Sequence, residues 1–537
     1  MTVKSVVCHA EIKPGFVSDD SAARSKINTQ LQDLGLPETP VGKWKVDEHK
    51  LIHESRPRVE TVGIDNPAGP QVQGTNGGHL VYPNGGHQLR TEDKERDKKY
   101  TPRLWQRILL CFSAVSNGEK ILSVKRSPGS LTCLNGIRVL SMGWVILGHS
   151  FLILMPNAEN PSIFGTLTQH ISFQIIMNGT LSVDSFFVLS GLLVTYLFLK
   201  ETEKAGGLKV KHMILFYVHR FWRLTPVYAY MIFINTFLVR YLTDGPTWAG
   251  PADIQYCKDN WWANLLYINN VYREENQCLV WGWFLANDMQ FYLVAPLALI
   301  PLALSFSLKR PTARKILKID GLCVIFGFLI TSIVSTAYIT YSIEGDLFHN
   351  GQEYYDKVYL KPWCRVGPFA IGMASGYILQ EKKIKFKMSP FLQGAGWLLA
   401  LMAAGACTLA TYDNFGEGRP GWANDARTAH ETIYRPVWGL VLAWVIFMCC
   451  KGKGGIVDWM LSWDWWQPLS RLTYGAYLVH LILIQTDVGT MQSLFLYSSG
   501  YIVYRFFGYV CMSFILSFMV AILVEAPLLQ LEKLVLS

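Results

Sequence analysis

Between Leu131 and Val524 the sequence falls into ten apolar runs, near 131–155, 173–199, 224–242, 283–307, 319–342, 364–380, 390–411, 433–450, 468–486 and 499–524. Each is close to the roughly 20 residues that a helix needs to cross the hydrocarbon core of a bilayer. In hydrocarbon each backbone N–H and C=O must find its partner inside the protein, and for runs of this length the helix is the element that does so. The expected fold class is all-α: a polytopic membrane protein with about ten transmembrane helices. Composition agrees, because 50% hydrophobic and only 17% charged residues leave a chain of 537 too little polar surface for a soluble globule.

The connecting segments set an orientation. On alternate sides of the runs, 200–212, 308–318, 381–387 and 451–455 hold fifteen Lys or Arg against three acids, whereas 156–172, 243–280, 343–363, 412–432 and 487–498 hold six against fifteen. Basic loops stay in the cytosol, so ten spans put both termini there. A multi-pass location in the plasma membrane or the endoplasmic reticulum fits. The net charge of +9 is then mostly topology. Its basic residues are scattered over loop ends, which argues against nucleic acid as a partner.

Residues 1–100 are rich in Gly, Pro, Ser and charge and sustain no apolar period, which predicts a disordered cytosolic tail. Met1 to Gly15 has no apolar core, so no signal peptide is expected. Asn76-Gly-Gly-His79 recurs as Asn84-Gly-Gly-His87, but two histidines without Cys or carboxylate partners make a poor metal site, and no metal is expected. Over 103–122, Leu104, Trp105, Ile108, Leu109, Phe112 and Val115 stand against Arg103 and Arg107, the pattern of an amphipathic helix lying on the inner leaflet. The transmembrane domain is expected over 131–532.

Two residues of the first run demand an explanation. Arg138 and His149 are costly to place in a bilayer, and an intramembrane ionisable residue is a functional candidate by default. Eleven residues at 100° each return the second side chain to within about 20° of the first, roughly 16 Å further along the helix. The basic stretch before them places Arg138 near the cytosolic mouth and His149 deeper. An interhelical hydrogen bond is the structural alternative for the histidine.

Of the eleven cysteines, Cys257 and Cys278 share the longest external loop, where a disulfide is chemically permitted. The sequon Asn178-Gly-Thr180 falls within the second run, so glycosylation is not expected there. Trp459, Trp463, Trp465 and Trp466 read as an interfacial aromatic belt.

Five motifs then occur in order: Arg138-x10-His149; Ser182-Val183-Asp184-Ser185-Phe186-Phe187-Val188-Leu189-Ser190-Gly191; Arg220-Phe221-Trp222-Arg223-Leu224-Thr225-Pro226; Trp283-Phe284-Leu285-Ala286-Asn287-Asp288-Met289-Gln290-Phe291-Tyr292; and Tyr477-Leu478-Val479-His480. Together they resemble the acyltransferase-3 family of integral-membrane O-acyltransferases, in its animal branch named "nose resistant to fluoxetine", over roughly Leu109 to Glu532. Two departures stand out. Bacterial relatives usually carry Glu where this chain has Asp288, and animal members usually begin with a cysteine-rich external domain and a further membrane helix, neither of which is seen here.

The resemblance implies transfer of an acyl group from acyl-CoA to a hydroxyl of a lipid, sugar or small-molecule acceptor. Arg138, Arg220 and Arg223 are the candidates for gripping CoA phosphates, since a guanidinium binds phosphate as a planar fork. For the two arginines of the third run, positive-inside anchoring is the alternative. His149 is the candidate general base, and Asp184 and Asp288 are candidates for orienting the imidazole or the acceptor, or else polar clamps. Ser190 reads as a small packing residue beside Gly191, and His480 as a motif position with a structural reading. A lipid or xenobiotic transporter that keeps the fold without catalysis is the competing class. The paired broken helices typical of many transporters are not evident, and the retained Arg138 and His149 favour an enzyme.

Overall fold

The structure is a computed structural model that describes residues 103–536 apart from 127–128, 247–249, 344–350, 382–387 and 415–420. The expected tail, with its two Asn-Gly-Gly-His repeats, lies outside the described residues. We number the long helices α1 (Cys133–Leu154), α2 (Leu181–Lys204), α3 (Val210–Phe237), α4 (Trp283–Val294), α5 (Pro296–Ser307), α6 (Pro311–Ser342), α7 (Pro362–Gln380), α8 (Pro390–Leu409), α9 (Asn424–Cys450), α10 (Trp466–Gly489) and α11 (Ser499–Val520). No strand occurs among the described residues; a lone bridge joins Ala158 to Phe495.

Local chemistry sets many of the boundaries. Proline, whose fixed φ suits the first helical turn, begins α5, α6, α7 and α8. Ser389 and Ser498 cap α8 and α11, each accepting from a backbone N–H three residues on at 3.2 Å. Pro296 divides the fourth apolar run into α4 and α5, since it cannot supply an N–H to the preceding turn.

Among the described residues seven helical stretches are long and apolar enough to cross a membrane. The expected third, sixth and ninth spans are present as helices α3, α7 and α10, but with sequences too polar to meet that standard, which therefore does not confirm the count of about ten. The expected amphipathic helix over 103–122 is interrupted. It forms as two pieces, Leu104–Cys111 and Ala114–Leu122, because Ser113 caps the second by accepting from Ser116 N. Their hydrophobic side chains Leu104, Trp105, Leu109 and Phe112 remain exposed, and the second piece is tied to the C-terminal helix by a 2.9 Å hydrogen bond from Lys120 to Gln530.

The main apolar core runs through α1, α2, α3, α4, α7 and α10, where Met142, Phe187, Tyr228, Phe291, Phe369 and Leu478 are buried. Its spine is the α2–α7 pair. A Cβ on Gly191 would overlap the carbonyl of Phe369, and one on Gly372 the carbonyl of Val188. Hydrogen at these positions lets two backbones touch, the small-residue packing that draws helices together where the hydrophobic effect does not. In the external loop Cys257 and Cys278 form the disulfide that the sequence permits. Asn178 sits in a short turn before α2 and donates to the Thr408 carbonyl at 3.1 Å and to Thr411 at 2.7 Å, so its amide is engaged inside the protein.

Candidate functional site

Arg138 and His149 share one unbroken helix, so the eleven-residue spacing keeps them on one face about 16 Å apart. Half-buried His149 forms part of the wall of a cavity of about 540 Å³, enclosed by the second half of α1, the turns before α2, the first turn of α2 and Tyr359. Arg138 does not line this cavity.

The protonation pattern of His149 follows from its neighbours. Nδ1 of His480 lies 2.6 Å from the Tyr477 carbonyl oxygen. A carbonyl only accepts, so this nitrogen carries the hydrogen, and Nε2 of a neutral His480 is an acceptor. That Nε2 lies 3.2 Å from Nδ1 of His149, which is also 3.0 Å from the Val145 carbonyl. Both partners accept, so Nδ1 of His149 is the protonated nitrogen and Nε2 keeps the lone pair. His480 is fully buried and 331 positions away in sequence. Spacing cannot reveal such a pair; the available signal was that His480 is a second titratable residue inside an apolar run.

Neither candidate carboxylate reaches this pair. Asp184 is fully buried and accepts from Nη1 of Arg365 at 3.1 and 3.3 Å, with Nε of Arg435 at 3.7 Å. It joins α2 to α7 and α9. Of the readings open for it, orienting the imidazole or the acceptor or serving as a polar clamp, the contacts seen are those of a carboxylate held by two guanidiniums. The same cluster borders the cavity through Arg365, whose Nε donates to the Tyr359 carbonyl at 2.9 Å and whose guanidinium lies 4.1 Å from that ring.

Asp288 pairs with Arg220 and accepts from the Ser190 hydroxyl at 2.5 Å. Arg220, a candidate phosphate ligand, is stacked 4.2 Å from the Tyr292 ring and paired with Asp288. Ser190 is more than a small packing residue, because it joins the same pair. Beside them Tyr267 shares a 2.9 Å hydrogen bond with Thr225, and burial pushes its phenol up to about 12, which keeps it a neutral hydroxyl. Arg138 and Arg223 behave differently. They lie within each other's electrostatic reach, Arg223 is exposed, and Arg138 has no hydrogen bond or ion pair among the described residues. Glu525 lies within reach of Arg223 as well.

Comparison with known proteins decides the family. The acyltransferase domain family matches residues 131–525. The chain belongs to the acyltransferase-3 family. A member named "Nose resistant to fluoxetine protein 6", from Caenorhabditis elegans, is 31% identical over 408 residues, 71% of this chain and 48% of the relative. A second protein of that organism, named "Regulator of hypoxia-inducible factor 1", is 23% identical over 70% of this chain and 75% of its own length. A Staphylococcus aureus protein whose name offers O-acetyltransferase as its proposed activity is 28% identical over 42% of this chain and 34% of its own. This acyltransferase-3 chain thus spans about half the length of the first relative and a third of the last. No solved structure matches it.

Proposed function

We propose that this protein transfers an acyl group from cytosolic acyl-CoA to an acceptor hydroxyl, with His149 as the general base. The observation that carries the reading is the hydrogen-bond chain from His149 through His480 to the Tyr477 carbonyl, which leaves a lone pair on Nε2 of a residue that lines a cavity. In this reading Nε2 takes the acceptor's proton as the hydroxyl oxygen attacks the thioester carbonyl. The C–S bond then breaks, and the imidazolium returns the proton to the departing thiolate. His480 accepts from Nδ1–H throughout and so fixes tautomer and ring orientation without carrying charge. Asp184 and Asp288 act as positioning residues, the first through Arg365 and the Tyr359 wall, the second through Arg220 and Ser190.

Arg138 and Arg223 are the donor's phosphate ligands. Replacing Arg138 with Lys is expected to weaken CoA binding more than the retained charge suggests, because an ammonium cannot reproduce the fork. Calorimetry checks this, and equal affinity for wild type and Arg138→Ala removes the arginine from the site. The fold is proposed to sit with both termini in the cytosol and the 243–280 loop outside, as the loop charges direct. Protease added to sealed, inside-out vesicles is expected to remove the N-terminal tail and spare that loop; the reverse pattern inverts the topology.

The reaction itself is tested by incubating purified protein with acyl-labelled acyl-CoA and a lipid and sugar extract. Label is expected in an ester of an acceptor, with free CoA released in equal amount. Absence of any ester together with saturable lipid movement between vesicles would turn the reading to transport.

A further inference from the structure

Whatever meets His149 passes through a cavity with an apolar lining. Trp144, Phe151, Met155, Phe164, Phe173 and Ile176 are among the apolar residues of the wall. Its polar side chains are few, and two of them are committed: Trp144 Nε1 donates to the Ile175 carbonyl at 2.8 Å, and Ser182 donates to the Gly179 carbonyl, beside His149, Thr180 and Tyr359. A sugar brings several hydroxyls besides the reacting one, and each buried without a partner costs about 1–3 kcal/mol. An apolar body in the same space gains about 25 cal/mol for each Å² removed from water. The volume of about 540 Å³ is within the range of small-molecule sites.

The mouth is as informative as the wall. Leu152 lines the cavity and is 69% exposed on α1, a stretch long and apolar enough to cross a membrane, so this side of the cavity opens on the outer surface of that helix. One turn away, Gly148 also lines the cavity, and no atom lies within 4 Å of the position its Cβ would take. A side chain there would grow into the passage beside His149.

We infer that the cavity is the binding site of a membrane-soluble alcohol, a hydroxyl carried on an apolar body, which enters from the bilayer past Leu152 and presents its oxygen to Nε2 of His149. The chemistry rests on the acyl-transfer reading, while occupancy of the cavity does not.

Photoreactive diazirine analogues of hexadecanol, dioleoylglycerol and cholesterol, added without acyl-CoA to the full chain in lipid nanodiscs, provide the test. At least one is expected to label residues 144–155 or 164–180, to be displaced by its unlabelled parent, and to be indifferent to excess glucose. Gly148→Phe should lower that labelling at least tenfold while Gly148→Ala preserves it. Leu152→Trp, at an exposed position, carries the same expectation should the phenylalanine variant not fold. The inference is overturned if none of the three probes labels the cavity above the rest of the lipid-facing surface, or if labelling is unchanged in a folded Gly148→Phe or Leu152→Trp protein. It is also overturned if palmitoyl-CoA displaces every probe and labels the cavity itself, which gives the space to the donor's chain. His149→Gln is expected to keep the labelling. Specific labelling of a wild-type protein that forms no ester refutes the transferase reading and leaves the site standing, whereas ester formation on a sugar with an unlabelled cavity does the opposite.

Discussion

His149→Gln is expected to insert, fold and bind CoA as the wild type does, yet to lose acyl transfer by about 10²–10⁴-fold, the range typical of a lost general base. Glutamine keeps an amide hydrogen able to reach the Val145 carbonyl and the His480 acceptor, but it offers no titratable nitrogen to the cavity. A purely structural histidine predicts that glutamine restores activity. His480 supplies a companion measurement. Its replacement by alanine removes the acceptor for Nδ1–H without touching Nε2, so turnover should fall while CoA affinity stays the same. In His480→Gln, the side-chain carbonyl can take over the acceptor role and recover part of that loss. Full activity in His149→Gln, measured on whichever ester the wild type makes, would falsify the assignment of the base.

Asp184→Ala should destabilise the protein by about 3–5 kcal/mol, the cost of stranding a buried cation. Arg365 and Arg435 lose their shared carboxylate in a place where both are almost fully buried. Thermal unfolding in detergent, followed by tryptophan fluorescence, gives the measurement. Adding Arg365→Met to Asp184→Ala should recover part of the loss, because it removes the orphaned charge and fills its volume. An Asp184→Ala protein that melts like the wild type but is inactive would instead place the carboxylate among the reacting groups.

Much of the fold is legible because apolar runs and their punctuation are local signals. The runs at 390–411 and 499–524, which begin at Pro390 and behind the Ser498 cap, match α8 and α11 within a few residues, and the run at 319–342 matches the end of α6 but not its start at Pro311. Charge hid the rest. The third helix begins at Val210 rather than near 224; Arg220 and Arg223 interrupt its apolar pattern, and only the distant Asp288 explains how Arg220 is accommodated. The eighth run looks short for the same reason. Arg427, Glu431 and Arg435 belong to the buried first half of α9, where Arg435 faces Glu431 of the same helix and Asp184 of α2, and Arg427 donates to the Ile343 carbonyl. At the site, Arg138 and His149 were visible together because one helix relates them by a fixed angle. The histidine's partner was not, since no periodicity connects α1 to α10. The partners of Asp184 and Arg220 were hidden for the same reason: a charge in an apolar run announces itself, but not its counter-ion.

Helices packed through side chains can slide a little past one another, which is how many membrane carriers and hinged enzymes change shape. Where Gly191 and Gly372 let α2 and α7 meet main chain to main chain, that freedom is gone. The two helices form a single strut, locked further by the Asp184–Arg365 pair that bridges them. Any rearrangement of the bundle would carry α2 and α7 together as one body. In the proposed reaction the pair can stand still while an acyl group passes from the sulfur of CoA to the acceptor oxygen.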